Sequence, residues 1–202
     1  TTIRNHFRKD YSTYHVVSYD TISGKPHAKN THQGYADESA WARGQAWGLY
    51  GYTMMYRETG KKAYLKQARA IASFLVNHPN MPKDKVPYWD YNAPDIPNAK
   101  RDASAAAIMA SALIELSQLD SSKDAARWLS FAQLQLRTLT SDAYLAKEGE
   151  NGGFILKHGV GFLPGKSEVD VPLTYADYYY VEALVRMKRL MERPDGVAAR
   201  KE

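Results

Sequence analysis

A chain of 202 residues with 44% hydrophobic content is long enough to form one domain with a substantial core. The formal net charge of +5 comes from cations scattered without a run of five, so the composition gives no support to nucleic-acid binding. There is no cysteine, which excludes disulfides and thiolate metal sites, and no apolar run approaches the roughly 18 residues of a membrane-spanning helix.

The first thirty residues predict a helix end, a short strand and a turn. Residues 1–10 are amphipathic and charged, without an initiator Met or a signal-peptide core, and indicate a start in the middle of a larger fold. The β-branched and aromatic content of residues 11–20 predicts a strand, and the segment SGKPHAKN at 23–30 predicts the turn after it.

A polar loop at residues 31–39 follows and delivers several hydrogen-bond donors just before the next helix. Asp37 or Ser39 is the expected cap of that helix. His15 and His32 flank the excursion, but without an HxxxH spacing or a cysteine partner they do not indicate a metal site.

The stretch from 38 to 60 organises the rest of the chain, because it predicts a helix buried on most of its faces. Gly44, Gly48 and Gly51 share one face of this helix. Each glycine costs about 1 kcal/mol relative to alanine in a helix interior, so we expect a neighbour to approach closely along that face.

Near the start of the same helix, Trp41, Arg43 and Trp47 place two indoles and a guanidinium within two turns. A fixed cation beside flat apolar rings suits a sugar acid. The alternative is that the tryptophans fill the core and Arg43 pairs with a buried carboxylate.

The next segments predict a one-sided helix, a long loop and a second crowded helix. Gly60 ends the first helix, and residues 61–78 carry one apolar stripe. Residues 79–101 hold five prolines and cannot be helical throughout, and a loop of this length often has a function. Asp102 is the expected cap of a helix of small residues that ends at 119.

The last third predicts a one-sided helix, a hairpin and a final crowded helix. Ser121 or Ser122 is expected to open a helix that runs through 139. Glycines bound two strand-like pieces at 154–158 and 167–171. Thr174 and Asp177 have the spacing of a capping box for the final helix, at 175–192, and the tail after Pro194 is expected to lack fixed structure.

Crowded helices therefore alternate with one-sided helices, which predicts an all-α fold made of repeated helical hairpins. Crowded inner helices inside one-sided outer helices describe an α/α toroid, with short β-hairpins in the loops at the mouth formed by the inner N-termini. Three inner helices account for half of a closed ring of six hairpins, and an open half-ring would expose their flanks.

The segments HQGYADES, WARGQAWGLYGY, APDIPNAKRDASAAAI and GKSEVDVPLTYADYYYVEAL resemble the C-terminal half of unsaturated glucuronyl hydrolases, glycoside hydrolase family 88. The resemblance covers almost the whole chain and implies that residues 1–202 are half of one α/α-toroid catalytic domain. It implies removal of the terminal unsaturated uronic acid from lyase-generated oligosaccharides of glycosaminoglycan type, by hydration of its C4=C5 double bond. The partners it implies are that oligosaccharide and the N-terminal half of the same protein, and it implies neither a cofactor nor a metal.

Motif matching also assigns site residues. The general acid of the family is expected upstream of Thr1, so no catalytic residue is assigned in this chain, and the helix cap Asp102 is kept only as a fallback. The hairpin residues Lys166 and Ser167 are expected near the leaving sugar, where Lys166 would meet a sulfate. The resemblance assigns substrate contacts to His15, His32, Gln33, Trp41, Arg43, Trp47 and Tyr175.

Two alternatives stay open from the sequence. Unsaturated rhamnogalacturonyl hydrolases share the fold and the reaction but take a different leaving sugar. A noncatalytic carbohydrate-binding module built from helical hairpins would bind sugar without a partner half. By resemblance the compartment is the bacterial cytoplasm or the periplasm, with neither a nucleic acid nor a membrane as partner.

Overall fold

The computed structural model describes residues 1–192 of the chain. The helices and strands, in chain order, are α1 Thr2–Asn5, β1 Val16–Tyr19, β2 Pro26–Asn30, α2 Ala42–Thr59, α3 Lys62–Asn77, α4 Ala103–Leu119, α5 Ala125–Leu139, β3 Gly159–Phe162, β4 Ser167–Val171 and α6 Thr174–Met191. A 3-10 turn, Asn151–Gly153, precedes β3. The expected tail after Pro194 lies outside the described residues.

Helix α4 is the centre of the core. It packs against α2, α5 and α6, while α3 packs mainly against α2 and also contacts α4. Nearly all of its residues are buried, and most of them are Ala or Ser. Such short side chains allow neighbouring helices to approach on several sides at once, which explains how one helix can have three partners.

The two outer helices, α3 and α5, bury one stripe each and expose the opposite side. In α3 the stripe contains Leu65, Ala68, Ile71, Ala72 and Leu75. The alternation of enclosed and one-sided helices predicted from the sequence is therefore confirmed for α3, α4 and α5.

Helix α6 is enclosed on one side only. Its inner side packs on α4, with Ala176, Tyr180 and Ala183 buried. Its outer side carries large apolar side chains in solvent: Tyr178, Val181, Leu184, Val185 and Met191. We call the first four of these the open face of α6. Exposed flanks were expected for an open half-ring, and the open face confirms this on α6.

Both small sheets are antiparallel hairpins, but the predicted strand positions were partly wrong. The segment expected as a turn at 23–30 contains β2, and the chain reverses earlier, where the Asp20 side chain accepts a hydrogen bond from the Ser23 amide at 2.6 Å. The piece expected as a strand at 154–158 forms one isolated bridge, between Leu145 and Leu156, and β3 begins at residue 159. Glycines at 159 and 161 hid this strand, because glycine disfavours strands.

The predicted caps of α2 and α6 were wrong, because the side chains of Asp37 and Asp177 bind other amides instead. Asp37 accepts from the Thr31 amide at 2.8 Å, and α2 begins after Trp41 without a side-chain cap. Asp177 accepts from the amides of Ile155 and Leu156 at 2.8 and 2.9 Å rather than forming a capping box.

The predicted start of α5 was too early, whereas the predicted cap of α4 and the predicted end of α2 are confirmed. Helix α5 starts at residue 125, later than the expected serines at 121 and 122, and its N-cap position is Asp124 without a side-chain cap. The cap by Asp102 is confirmed, since its side chain accepts from the Ser104 amide at 3.0 Å. Gly60 ends α2 with φ 64°, a conformation that glycine adopts without a steric penalty.

The glycine face of α2 is only partly what the spacing predicted. A Cβ on Gly44 would lie 2.7 Å from Cε3 of Trp41, so the close neighbour there is the ring at the start of the same helix. A Cβ on Gly48 would make ordinary contacts, and one on Gly51 would meet nothing within 4 Å. The expectation of a close neighbour was therefore wrong at these two positions in the described part of the chain.

Candidate substrate site at the helix N-termini

The N-terminal ends of α2, α4 and α6 meet at one end of the bundle. An ion pair of 3.2 Å joins Arg43 in the first turn of α2 to Asp102 before α4. The Arg43 guanidinium also lies 5.2 Å from the ring centre of Tyr175, in the first turn of α6. The predicted mouth, with three inner helix starts side by side, is thus present, and the 31–39 loop and the β3–β4 hairpin border it.

Arg43 is inside the protein, with 3% of its surface exposed. Its guanidinium donates to Asp102, to Ser104 and to the backbone carbonyl of Val160, and it donates to the Gly161 carbonyl at 2.6 Å. This is the alternative stated from the sequence, an arginine paired with a buried carboxylate. Through the two carbonyls, Arg43 fastens β3 to the start of α2.

Asp102 is fully buried and every contact it makes is internal. One carboxylate oxygen accepts from the Ser104 amide at 3.0 Å, from the Ser104 hydroxyl at 2.6 Å and from the Val160 amide at 3.3 Å, while the other faces Arg43. A carboxylate with these contacts has the geometry of a helix cap and hairpin anchor. This supports leaving Asp102 outside the catalytic roles.

His15 immediately precedes β1, and its ring contacts both the 31–39 loop and Trp41 at the start of α2. Its ring lies 4.3 Å from the Trp41 ring, and its Nδ1 accepts from the amides of His32 and Gln33 at 3.1 and 3.2 Å. Burial lowers the pKa of His15 below its ordinary value, and the charges of His32 and Arg43 lower it further. At neutral pH the ring is therefore uncharged, with its proton on Nε2.

The 31–39 loop also contacts the β3–β4 hairpin directly. The exposed ring of His32 lies 4.5 Å from the ring of Phe162, and the Gln33 side chain donates to the Gly161 carbonyl at 2.9 Å. Gly161 thus accepts from both Gln33 and Arg43. The structure brings His15, His32, Gln33, Trp41 and Arg43 into one connected cluster.

Tyr175 and Trp47 continue the site along the inner helices. Burial raises the pKa of Tyr175, so its hydroxyl is protonated throughout the neutral range. Trp47 lies one turn deeper in α2 than Arg43, with its ring 4.9 Å from that of Tyr179 and 6.3 Å from that of Tyr50. Trp47 therefore belongs to an aromatic group between α2 and α6, one turn along α2 from Arg43.

Lys166 and Ser167 lie at the tip of the β3–β4 hairpin and are exposed. Ser167 pairs with Phe162 across the hairpin, and Phe162 contacts His32. The tip is therefore next to the cluster, although Lys166 and Ser167 make no contact with its members.

Two residues of this region were not predicted as part of a site. Asp90, in the proline-rich loop, is fully buried and accepts from the Ser39 hydroxyl at 2.6 Å. Phe162 supplies the aromatic surface beside His32. The length of the proline-rich loop predicted a function for it, but the contacts of Asp90 join segments 51 residues apart, which no local pattern reveals.

Within residues 1–192 no group of three or more His, Asp or Glu side chains is placed to hold a metal ion. No helix in the same range is long and apolar enough to cross a membrane. A cavity of about 330 Å³, lined by residues including Arg57, Glu115 and Arg186, lies toward the C-terminal ends of α2, α4 and α6. It is at the other end of the bundle from the cluster.

The chain is similar to several known proteins, although no family model matches it. It is 53% identical over 191 residues to an unsaturated glucuronyl hydrolase of Formosa agariphila, an alignment that covers 95% of this chain and 47% of the relative. A crystal structure of an unsaturated glucuronyl hydrolase specific for heparin superposes with a TM-score of 0.92 at 56% identity, covering 97% of this chain and 52% of the other. The enzyme of Bacillus sp. GL1, responsible for the degradation of glycosaminoglycan, gives a TM-score of 0.85 at 34% identity, with 93% and 50% covered.

These similarities confirm the family resemblance and the fold class predicted from the sequence. The chain has the architecture of about half an α/α toroid, with short β-hairpins beside the inner helix starts. It spans about half the length of the curated relatives that it matches, which is consistent with their C-terminal half.

Proposed function

We propose that this chain, a confirmed relative of the unsaturated glucuronyl hydrolases over half their length, supplies the substrate-recognition half of one α/α-toroid catalytic domain. The whole protein would remove the terminal unsaturated uronic acid from lyase-generated oligosaccharides of glycosaminoglycan type. The observation that carries the proposal is the cluster at the helix N-termini, in a chain 53% identical to a relative of that name.

The chemistry of the cluster suits a sugar acid. The rings of His15 and Phe162 offer flat apolar surfaces for a sugar ring, and the imidazole of His32 and the amide of Gln33 offer donors to hydroxyls. Trp41 is only 7% exposed and packs behind His15. The starts of α2, α4 and α6 also direct the positive ends of three helix dipoles toward this end of the bundle, where they favour an anion.

In the proposed reaction an aspartic acid protonates C4 of the vinyl ether and water adds at C5, which gives a hemiketal. The C5–O5 bond of the hemiketal then breaks, which opens the ring to a C5 ketone and leaves C1 as a hemiacetal that still carries the remaining sugar. This hemiacetal collapses to the C1 aldehyde and releases the remaining sugar as an alcohol. That acid would come from the second half of the domain, while this chain would orient the unsaturated ring. His15, His32, Gln33, Trp41, Trp47 and Tyr175 would contact the substrate, and Arg43 would support the mouth from inside.

The proposal is tested by complementation. This chain is coexpressed with the part of the Formosa agariphila relative that the alignment leaves uncovered, and each half is also purified alone. Loss of ultraviolet absorbance of an unsaturated glucuronyl disaccharide reports turnover. We expect activity from the pair only, because the general acid and the recognition residues lie in different halves.

Three results would contradict the proposal or redirect it. A co-purified, folded pair without turnover would argue against the hydrolase function. Disaccharide binding by this chain alone, without turnover by the pair, would favour a noncatalytic carbohydrate-binding module. Turnover of unsaturated rhamnogalacturonyl disaccharides in preference to glucuronyl ones would favour the other class of hydrolase.

A further inference from the structure

We infer that Asp90 is a positioning residue for substrate binding, because it sets the conformation of the loop that carries His32 and Gln33. The expected effect of Asp90 on turnover rests on the proposed function, whereas its expected effect on the loop rests on the geometry alone. Asp90 is fully buried, and the nearest part of the cluster is Trp41, with which it forms an isolated β-bridge.

Each contact of the Asp90 carboxylate is with a donor. One oxygen accepts from the Tyr35 amide at 2.9 Å and from the Ser39 hydroxyl at 2.6 Å. The other accepts from the Asn92 amide at 2.9 Å. The first two donors belong to the 31–39 loop, so this single carboxylate holds the loop behind His32 and Gln33.

The same segment also fixes the start of α2. The Trp89 carbonyl accepts from the Ala42 amide at 3.1 Å, and the Ala40 carbonyl accepts from the Tyr91 amide at 3.0 Å. The Asn92 side chain accepts from the Ala40 amide at 3.0 Å. The backbone on both sides of Asp90 is therefore hydrogen-bonded to the start of the helix that carries Trp41 and Arg43. The Asp90 carboxylate in turn holds the 31–39 loop in a fixed position relative to that helix.

Gly34 shows how closely the loop follows the carboxylate. A Cβ at this position would lie 2.6 Å from the Thr31 hydroxyl, 3.1 Å from the Asp90 carboxylate and 3.1 Å from Cβ of Trp41. The loop backbone therefore approaches Asp90 and Trp41 so closely that a side chain at residue 34 would require them to shift by a few tenths of an ångström. His15 accepts hydrogen bonds from the amides of His32 and Gln33, the two residues before Gly34.

These contacts predict the effect of an isosteric change. A carboxylate accepts on both oxygens, whereas an asparagine amide presents NH₂ on one side, where it meets either the Asn92 amide or the two donors of the loop. Asp90→Asn therefore loses part of the loop attachment while keeping the volume of the side chain. Asp120→Asn is the matched control, because Asp120 is also buried and accepts from Arg69, the Trp128 indole and the Ser122 amide at the far end of α4.

The experiment uses the complemented pair and its two variants. We expect Asp90→Asn to raise KM about tenfold with kcat changed less than about threefold, since it removes binding interactions and leaves the acid in place. Asp120→Asn should lower Tm and leave KM unchanged. Ser39→Ala removes the hydroxyl donor to Asp90 and the acceptor of the Ala36 amide, but it keeps the Tyr35 amide on Asp90, and it should raise KM in the same direction by about twofold to threefold.

Hydrogen exchange of the peptide that covers residues 31–39 gives a readout independent of turnover. The two variants are compared under conditions in which they have the same free energy of unfolding. We expect faster exchange of this peptide in Asp90→Asn than in Asp120→Asn. Unchanged exchange in this peptide, or an unchanged KM in an active pair, would overturn the inference. If the unmodified pair is inactive, the proposed function fails, and the exchange measurement still decides whether Asp90 holds the loop.

Discussion

At the scale of the residue, the structure of the mouth depends on buried polar groups whose hydrogen-bond partners also lie inside the protein. Arg43 and Asp102 face each other in the interior, and each also binds backbone groups of the β3–β4 hairpin. Removal of one partner from such a pair leaves an uncompensated charge in a low-dielectric environment, which is more destabilising than the loss of the pair itself.

This pair gives a prediction that a double-mutant cycle checks. We expect Arg43→Ala and Asp102→Ala each to lower the free energy of unfolding by about 3–5 kcal/mol, and the double variant to lower it by clearly less than the sum. Denaturant titration of the complemented pair measures all four proteins. Strictly additive losses would mean that the two side chains do not interact in the folded protein.

His15 gives a second residue-scale prediction. Its folded-state pKa lies below the unfolded value of 6.5, so the unfolded chain binds a proton first as the pH falls. The stability from neutral His15 is therefore complete above about pH 6.5 and is lost as the pH falls toward the folded pKa, at about 1.4 kcal/mol per unit of difference.

His6 and His78 also have lowered pKa values, mainly through burial, and add to this loss in the same direction. Thermal unfolding between pH 7.5 and 5 should show the decrease, and His15→Gln should reduce it. A protein equally stable at both ends of this range would contradict the assignment.

The glycines of α2 supply a third prediction at this scale. Gly51 has open space where a Cβ would go, so Gly51→Ala should stabilise the chain by about 0.5–1 kcal/mol through the helix propensity. Gly44→Ala should destabilise it by about 1–3 kcal/mol, since the Trp41 ring must move. The melting temperatures of the two variants are compared directly. Equal changes in Tm would show that the space around each glycine does not determine the effect of the added methyl group.

At the scale of the element, the β3–β4 hairpin is attached at one end and free at the other. The carbonyls of Val160 and Gly161 accept from Arg43, while the exposed tip with Lys166 and Ser167 is bound only within the hairpin. An element held in this way can present a side chain to a substrate at the mouth without contributing to the stability of the core.

The tip gives a prediction about sulfated substrates. Lys166→Ala should lower the rate ratio of sulfated to unsulfated disaccharides by about threefold to tenfold, because an exposed cation adds a modest charged hydrogen bond to a sulfate. Its Tm should remain within about one degree of the unmodified protein. An unchanged ratio in the complemented pair would remove Lys166 from the site.

The elements also show which features a sequence reveals. Periodicity placed α2 to α6 within a few residues, because each helix buries residues along about three turns or more. The caps of α2 and α6 were misassigned because Asp37 binds an amide within its own loop and Asp177 binds amides in a distant segment. The strand β3 was misplaced because much of what holds it in place is not visible in its own sequence: backbone carbonyls that bind Arg43, and the burial of Val160 among residues of other segments.

At the scale of the whole molecule, the fold is half of a ring, and its open face on α6 shows where packing stops. Tyr178 is 61% exposed and Val181 is 43% exposed, beside a cavity of about 620 Å³ that also includes Val185. Apolar side chains at helical spacing on an exposed face are typical of a surface that another chain segment covers. We therefore expect self-association of the isolated chain.

A charge on this face tests the expectation. Val181→Glu should shift the isolated chain toward the monomer in sedimentation experiments, since it interrupts the open face without disturbing the side packed on α4. If the open face is where the second half binds, the same variant should weaken the complemented pair by about tenfold or more. Ser130→Glu, at an exposed position of α5, adds the same charge outside the face and should alter neither.

The enclosure of α4 also determines how the protein can be made on the ribosome. When α4 has been synthesised, α2 and α3 are already available as partners, whereas α5 is complete about 20 residues later and α6 about 70 residues later. At 5–20 residues per second, the surface of α4 that will face α6 therefore stays uncovered for roughly 4–14 s. During that time the nascent chain exposes small and apolar residues of the segment 103–114 that are buried in the folded protein. Slow codons between residues 120 and 173 would lengthen this exposure, so the yield of folded protein should depend on translation speed through that interval.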